Sequence, residues 1–183
     1  NKQRTDGNHG DCDTAMSRKL QRLSVDFRVA FVAGLILPVG GRGPYNSAYF
    51  VNQKTHRVIC HKRRSDGSND YEPWTGEDPG ENPFDALGTK VGALVCNDSF
   101  TVSGSRPVKP LLGADVVCIP ANHYERPNNF CLTGFVGPWG GSWVVFANSH
   151  PTGHGSFIVD RSGGIQAVQK ATGQNAVKVV PFV

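Results

Sequence analysis

The chain has 183 residues, 38% hydrophobic and 19% charged, a balance that suits a folded globular protein and excludes an intrinsically disordered one. Its formal net charge is +4, and the basic residues gather only at 18–22 (RKLQR) and 61–64 (HKRR) without interleaved aromatics, so no nucleic-acid partner is expected. No apolar stretch reaches the roughly 20 residues of a membrane span, and the polar start NKQRTDGNHGDCD does not read as a secretory signal, so no membrane partner is expected and the expected location is cytoplasmic.

Twenty-two glycines and 12 prolines promise many turns and few long helices. Met16, Leu20, Leu23 and Phe27 recur at helical spacing behind Asp13, a good N-cap, and predict an amphipathic helix over 14–26. VAFVAGLIL (29–37) is continuously apolar and branched, the pattern of a strand buried on both faces. Pro38, Gly40, Gly41 and Gly43 mark a loop. SAYFVN (47–52) and RVICH (57–61), joined by QKTH, read as a hairpin. Residues 62–83 hold little periodicity, and a loop of that length is often functional. VGALVC (91–96), ADVVCIP (114–120), WVVFAN (143–148), SFIVD (156–160), GIQAV (164–168) and AVKVVPF (176–182) read as further strands. The sum is an α/β or α+β protein, taken as one domain over 1–183 with a divergent or remnant segment at 1–27. The runs at 29–37, 91–96 and 114–120 are expected side by side in one sheet, with 143–148 and 156–160 in a second.

The cysteines stand at 12, 60, 96, 118 and 131. Their odd number, wide spacing and lack of any CxxC pair argue against a zinc ribbon or a disulfide framework and for free thiols. The segment HPTGH (150–154) cannot form a helical His-x3-His pair, so no metal and no cofactor are expected. Cys96 differs from the other cysteines in its setting. It ends a buried strand and is followed by the polar turn Asn97-Asp98-Ser99, where neighbouring backbone N–H groups can face a developing oxyanion. A core role is the common fate of such a cysteine; a nucleophilic one needs a cation or base nearby to form the thiolate. Lys62, directly after RVICH, is such a cation, although most lysines in a basic run are merely exposed. Glu72, in the YEPW of the long loop, is a carboxylate that can orient the lysine or act as a base. His61 competes with Lys62, but strand alternation points the two oppositely, and Lys62 is taken as the one facing Cys96.

Together these positions resemble the carbon–nitrogen hydrolase (nitrilase-like) superfamily. The family order is a lysine after an extended strand, a G-x-x-x-C-x-D/E strand end, then GAD and a strand ending in proline. Here these are Lys62, Gly92–Asp98, and Gly113-Ala114-Asp115 through Pro120. Phe146-Ala147-Asn148 and Gly155-Ser156 match an aN…GxS region, the turn from Asp160 to Gly163 stands where dPxG is frequent, and Tyr45-Asn46-Ser47-Ala48 resembles the yNta strand start. The resemblance runs from about residue 28 to the C-terminus.

It implies a four-layer αββα sandwich, incomplete here at the N-terminus, and hydrolysis of an amide, carbamoyl compound or nitrile through a cysteine thioester or thioimidate. Cys96 would attack, Lys62 would stabilise the tetrahedral intermediate, Asn97 would donate its N–H to the oxyanion and Asn148 would help bind substrate. Asn97-Asp98 after the cysteine looks more like the carbamoylase strand end than the Cys-Trp-Glu of nitrilases, which favours an amide or carbamoyl substrate. The family's general base, a glutamate on an earlier strand, has no counterpart before Glu72. A fragment lacking the N-terminal βαβ portion and a divergent protein without the full triad both fit, and a non-catalytic, ligand-binding protein of the same fold is the alternative function. An uncovered sheet edge left by the lost strand is an association hazard, and a homo-oligomer is expected.

Overall fold

The apolar periodicity near the N-terminus folds as a helix, α1 (Ala15–Phe27), in a computed structural model that describes residues 15–39, 42–63, 81–99, 111, 113–122, 141–149 and 155–168. Its buried line differs from the expected one. Met16 and Phe27 are 52% and 68% exposed, whereas Ser17 and Ser24 are buried and Leu20 packs inward. The C-terminal end sets this rotation. Ser24 Oγ donates to Val29 O at 2.6 Å, and Gln53 Nε2 donates to Ser24 O at 3.0 Å. Holding Ser24 inward brings the line Ser17–Leu20–Ser24, three and four residues apart, onto the sheet below.

That sheet is an antiparallel meander of β1 (Phe31–Val39), β2 (Arg42–Val51) and β3 (His56–His61), in the order β1-β2-β3. Strands β1 and β2 run through Pro38 and Gly43, which the sequence reading assigns to a loop. The β2–β3 connection is the expected tight one, closed by Asn52 Oδ1 accepting from the N–H groups of Lys54 and Thr55. Strand β1 is an edge strand among the described residues, and Ile36 is 50% exposed, so it is not buried on both faces.

The second sheet has six strands in sequence order. They are β4 (Phe84–Ala86), β5 (Thr89–Ala93), β6 (Val116–Ala121), β7 (Trp143–Asn148), β8 (Phe157–Val159) and β9 (Ile165–Val168). Strands β5, β6 and β7 are parallel and the flanking pairs antiparallel. This corrects the expected partition, because β1 lies in the other sheet and β7 and β8 join β5 and β6. The cause is connection length. Short turns after β1 and β2 close a meander, whereas long crossovers after β5 and β6 return the chain to lay the next strand parallel in the same sheet. The run at 176–182 lies outside the described residues. Strand β4, missed in the sequence, turns into β5 through Leu87 and Gly88, both at positive φ (60° and 82°), the backbone of a type I′ hairpin.

The two sheets pack face to face. Ala48, Phe50, Ile59 and Cys60 of the first meet Phe84, Ala93, Val117, Ile119, Val144 and Phe146 of the second. On its other face the first sheet packs Tyr49, Val51 and Val58 with Leu20 of α1. The architecture is thus mixed α+β, and α1 is the one α-helix among the described residues. Gly34, Ala48 and Cys60 are paired in register across β1, β2 and β3 and form a row of small residues that lets the sheets approach. A Cβ built on Gly34 would lie 2.9 Å from Pro120 Cβ of β6.

Asp160 closes the β8–β9 turn. Its Oδ1 accepts from Ser162 N–H and Oγ–H and from Gly164 N–H at 2.7–2.9 Å, and these bonds, that from the Ser162 hydroxyl first, hold its carboxyl below the ordinary 3.8.

Two predictions follow from this frame. Gly34→Ala should destabilise the fold by about 1–3 kcal/mol, the usual cost of overpacking, measured by urea denaturation; unchanged stability would show that the sheets have room to separate there. Asp160→Ala should lower the melting temperature at neutral pH. Because the folded carboxyl is depressed, its contribution is present above 3.8 and lost as pH falls through the lower folded value, so wild-type and variant melting temperatures should converge in acid.

Candidate active site

Lys62 follows β3 directly, past an irregularity in the pairing of β3 with β2. The pairing with β2 runs Ser47↔His61 and Ala48↔Cys60, then jumps to Tyr49↔Val58, leaving Ile59 as an extra residue. Ile59 and Cys60 consequently both face the second sheet, a β-bulge that reverses the alternation beyond it. His61 therefore turns to the α1 side, where it is buried, with Nδ1 2.7 Å from Ser47 Oγ and its ring 5.6 Å from that of Tyr45. Lys62 N–H donates to Asn46 O at 2.7 Å. The ladder is thus still intact at Lys62, and alternation directs its side chain to the inter-sheet face. Unbroken alternation from Ile59 would have chosen His61 instead.

The cysteine is placed by the end of β5. The strand stops at Ala93, and Leu94 N–H makes one more ladder bond, to Cys118 O at 3.1 Å. Cys96–Ser99 then forms a single 3₁₀ turn, so Cys96 lies three residues past the strand rather than on its last position. It is buried, with 7% of its surface exposed, and its φ is 48°. A non-glycine residue in the left-handed region is uncommon and is found where surrounding structure enforces it. Here Asp98 N–H donates to Val95 O at 3.1 Å and Ser99 Oγ donates to Cys96 O at 2.6 Å.

Two contacts join the lysine end of β3 to the cysteine turn. Cys60 Sγ donates to Ala93 O at 3.2 Å. Asp98 Oδ2 accepts from Arg63 N–H at 2.8 Å. Asp98 is the one buried carboxylate among the described residues; the sequence reading used it only as a motif letter, and the D/E two places after the cysteine was the available signal. These ties lie on either side of Lys62 and Cys96 in both segments and hold the end of β3 beside the turn that carries Cys96.

Asn97 follows Cys96 in the turn and is half-buried. Asn148 ends β7, and its N–H donates to Ser156 Oγ at 3.0 Å, which explains the spacing of the aN…GxS match. Asn148 lies at, and Cys96 just beyond, the carboxyl end of a parallel strand, where open sheets that mix strands and helices commonly bind ligands. Asp115 of the GAD segment has a structural job: Oδ2 accepts from Lys90 N–H at 2.9 Å and Oδ1 from Arg161 at 3.1 Å. Glu72, His123, His150, His154, Cys12 and Cys131 lie outside the described residues. Of the other thiols, burial pushes Cys118 up to about 12. Among the described residues no group of three or more His, Cys, Asp or Glu is placed to hold a metal ion, and no helix is long and apolar enough to cross a membrane.

Asp98→Ala should cost about 1.5–3 kcal/mol of stability, the range for a hydrogen bond to a charged group. Guanidinium denaturation tests this; a loss under about 0.5 kcal/mol, ordinary for a surface change, would show that the Asp98–Arg63 tie does not brace the site.

Three comparisons bear on this geometry. The family model described as "Carbon-nitrogen hydrolase" matches residues 3–165. No curated protein matches the chain. Among solved structures, a carbon–nitrogen hydrolase from Helicobacter pylori G27 superposes with a TM-score of 0.64 at 18% identity, over 88% of this chain and 65% of that one. A CN-hydrolase superfamily protein from Xanthomonas campestris, with an arsenic adduct in its active site, gives 0.65 at 15% identity, over 90% and 67%. An amidase from Nesterenkonia gives 0.63 at 21%, over 89% and 65%. The chain thus spans about two thirds of the length of these proteins and shares their fold.

Proposed function

This chain belongs to the carbon–nitrogen hydrolase family, and we propose that it hydrolyses a non-peptide carbon–nitrogen bond of a small amide, carbamoyl compound or nitrile with Cys96 as nucleophile. The observation that carries this reading is the strained, buried turn at Cys96 tied through Asp98 to the backbone next to Lys62.

In the proposed sequence the Cys96 thiolate attacks the substrate carbon, and Lys62 and the Asn97 N–H receive the negative charge that forms on oxygen. With an amide or carbamoyl substrate the carbon–nitrogen bond then breaks, and the amine departs with a proton, leaving a thioester on Cys96. With a nitrile the attack gives a thioimidate, which takes up one water and loses ammonia to reach the same thioester. Water attacks the thioester, the carbon–sulfur bond breaks, and acid and thiol are released. Both halves need a proton carrier, a role worth about 10²–10⁴-fold. Glu72 is the carboxylate assigned to it, and Asn148 is assigned to substrate binding. Asp98 is engaged by Arg63 N–H and serves as a brace. Asn97-Asp98 after the cysteine supports an amide or carbamoyl substrate over a nitrile. The edge of β1, with Ile36 half exposed, supports a homo-oligomer.

A mutant of the amidase from Nesterenkonia shows Michael addition of acrylamide at its active-site cysteine, so acrylamide is a fitting probe here. Incubation with acrylamide, simple amides and nitriles, read by intact-protein mass spectrometry and ammonia release, separates the outcomes. Turnover lost in Cys96→Ala supports Cys96 as nucleophile, and its loss in Glu72→Gln supports Glu72 as base. A thioester left by an amide that accumulates without acid release supports Cys96 and removes Glu72, whereas the acrylamide thioether, which water cannot cleave, reports on Cys96 alone. Neither turnover nor adduct in a folded chain would leave a non-catalytic, ligand-binding protein of this fold.

Iodoacetamide adds a second check. Cys96 and Cys60 are similarly buried, 7% and 3% exposed, so faster labelling of Cys96 at neutral pH reports thiolate rather than access. Cys118, with its thiol pushed up to about 12, should be slow. Lys62→Met should slow Cys96, and equal rates in wild type and variant would dismiss the Lys62–Cys96 pair.

A further inference from the structure

Strand β4 ends short of the site, and a side chain continues its work. The β4–β5 ladder pairs Ala86 with Thr89, Asp85 with Lys90 and Phe84 with Val91. Two further steps in this register would set Asn82 opposite Ala93. Leu94 N–H points toward β6, so the N–H and C=O of Ala93 point to the opposite edge, toward β4. The Asn82 side chain meets both. Its Oδ1 accepts from Ala93 N–H at 3.0 Å, and its Nδ2 donates to Ala93 O at 2.9 Å. A carboxamide has the donor and acceptor of a peptide group, and here it supplies the two bonds of an absent strand residue.

We propose that Asn82 is a positioning residue for Cys96, an inference that rests on the proposed pairing of Cys96 with Lys62. Ala93 is the last residue of β5, and the chain turns three residues later into the strained Cys96. Its peptide is held from within its own sheet by Asn82 and from the opposite sheet by the Cys60 thiol, two residues before Lys62. Fixing this one peptide sets where the cysteine turn begins relative to the lysine strand end. The glycine of the G-x-x-x-C pattern serves a different neighbour: a Cβ on Gly92 would lie 2.6 Å from Leu111 Cδ1, while its 3.4 Å to Asn82 Oδ1 is an ordinary contact.

A double-mutant cycle on the full chain tests this. Iodoacetamide labelling of Cys96 at neutral pH is followed by peptide mass spectrometry in wild type, Lys62→Met, Asn82→Ala and the double variant. Asn82→Ala should slow labelling about fivefold to tenfold, less than the roughly 10²-fold cost of an ångström's misplacement in a catalytic site. The double variant should be no slower than Lys62→Met, since Asn82 acts through that pair. If Lys62→Met slows labelling while Asn82→Ala does not, or if Asn82→Ala slows it equally in both backgrounds, the positioning role is overturned and the proposed function stands. If Lys62→Met labels at the wild-type rate, the Lys62–Cys96 pairing falls and this inference with it. Should Asn82→Ala fail to fold, Cys60→Ala goes through the same cycle. It removes a weak S–H donor from the same peptide and should slow labelling about twofold to threefold, again without adding to Lys62→Met; no effect, or an additive one, overturns the proposal.

Discussion

The close approach of the two sheets is the constraint on which the candidate site depends. Sheets usually pack about 10 Å apart, spaced by interdigitating side chains. Here a row of small residues, Gly34, Ala48 and Cys60, crosses the first sheet and faces Pro120 and Ala93 of the second. The seam ends at the bond between Arg63 N–H and Asp98. The proposed nucleophile hangs from one sheet and the proposed cation from the other. Their separation is therefore a property of inter-sheet packing rather than of any local loop. A site built this way is only as firm as the hydrophobic core beneath it, and that core is continuous from Phe50 and Ile59 to Val144 and Phe146.

Within that frame, two local departures from regular structure aim the reactive groups. The bulge at Ile59 puts Lys62 on the inter-sheet face and His61 on the other. The left-handed backbone at Cys96 breaks the line of β5 and bends the chain into its 3₁₀ turn. Such a backbone costs on the order of 1–3 kcal/mol, and hydrogen bonds on both sides of Cys96 offset it, from Asp98 to Val95 and from Ser99 to Cys96. The turn is thus held by hydrogen bonds within its own five residues, 95–99.

Strand positions were legible wherever an apolar run was unbroken: WVVFAN became β7 residue for residue, and VGALVC supplied the buried end that carries Cys96. Sheet membership was not legible. Periodicity reports which face of a strand is buried, and it is silent on which strand lies beside it; β1 and β5 read alike in composition and belong to different sheets. Pro38 and Gly43 hid the extent of the first hairpin because both disfavour interior strands, yet Pro38 stands on the edge strand β1, beside the irregularity between Leu37 and Val39, and Gly43 at the start of β2. The helix face was misjudged because Ser24 is buried through a hydrogen bond, which hydrophobic periodicity cannot see. At the site, the family pattern singles out Cys96 and Lys62; alternation says only that Lys62 and His61 point oppositely, and the bulge sends His61 to the α1 side. Asn82 carried no signal, since its role follows from a register that only the folded ladder supplies.

The distribution of carboxylates shapes the chemistry that this arrangement can perform. Attack on the substrate carbon asks for a thiolate and oxyanion donors, which Cys96, Lys62 and Asn97 can supply. Release of the amine and hydrolysis of the thioester ask in addition for a group that gives and then takes a proton. Asp98 is poorly suited to that duty. It is buried, and one oxygen is taken up by the Arg63 N–H. Asp26 lies on the exposed side of α1. A brace and a base make opposite demands on a carboxylate, one to stay charged and bound, the other to change its protonation in every cycle. The motif acid beside the cysteine, bonded to the Arg63 N–H, serves as the brace. The proposed base, Glu72, belongs to a separate segment, so the proposed proton transfer and the Asp98 brace can be tested apart.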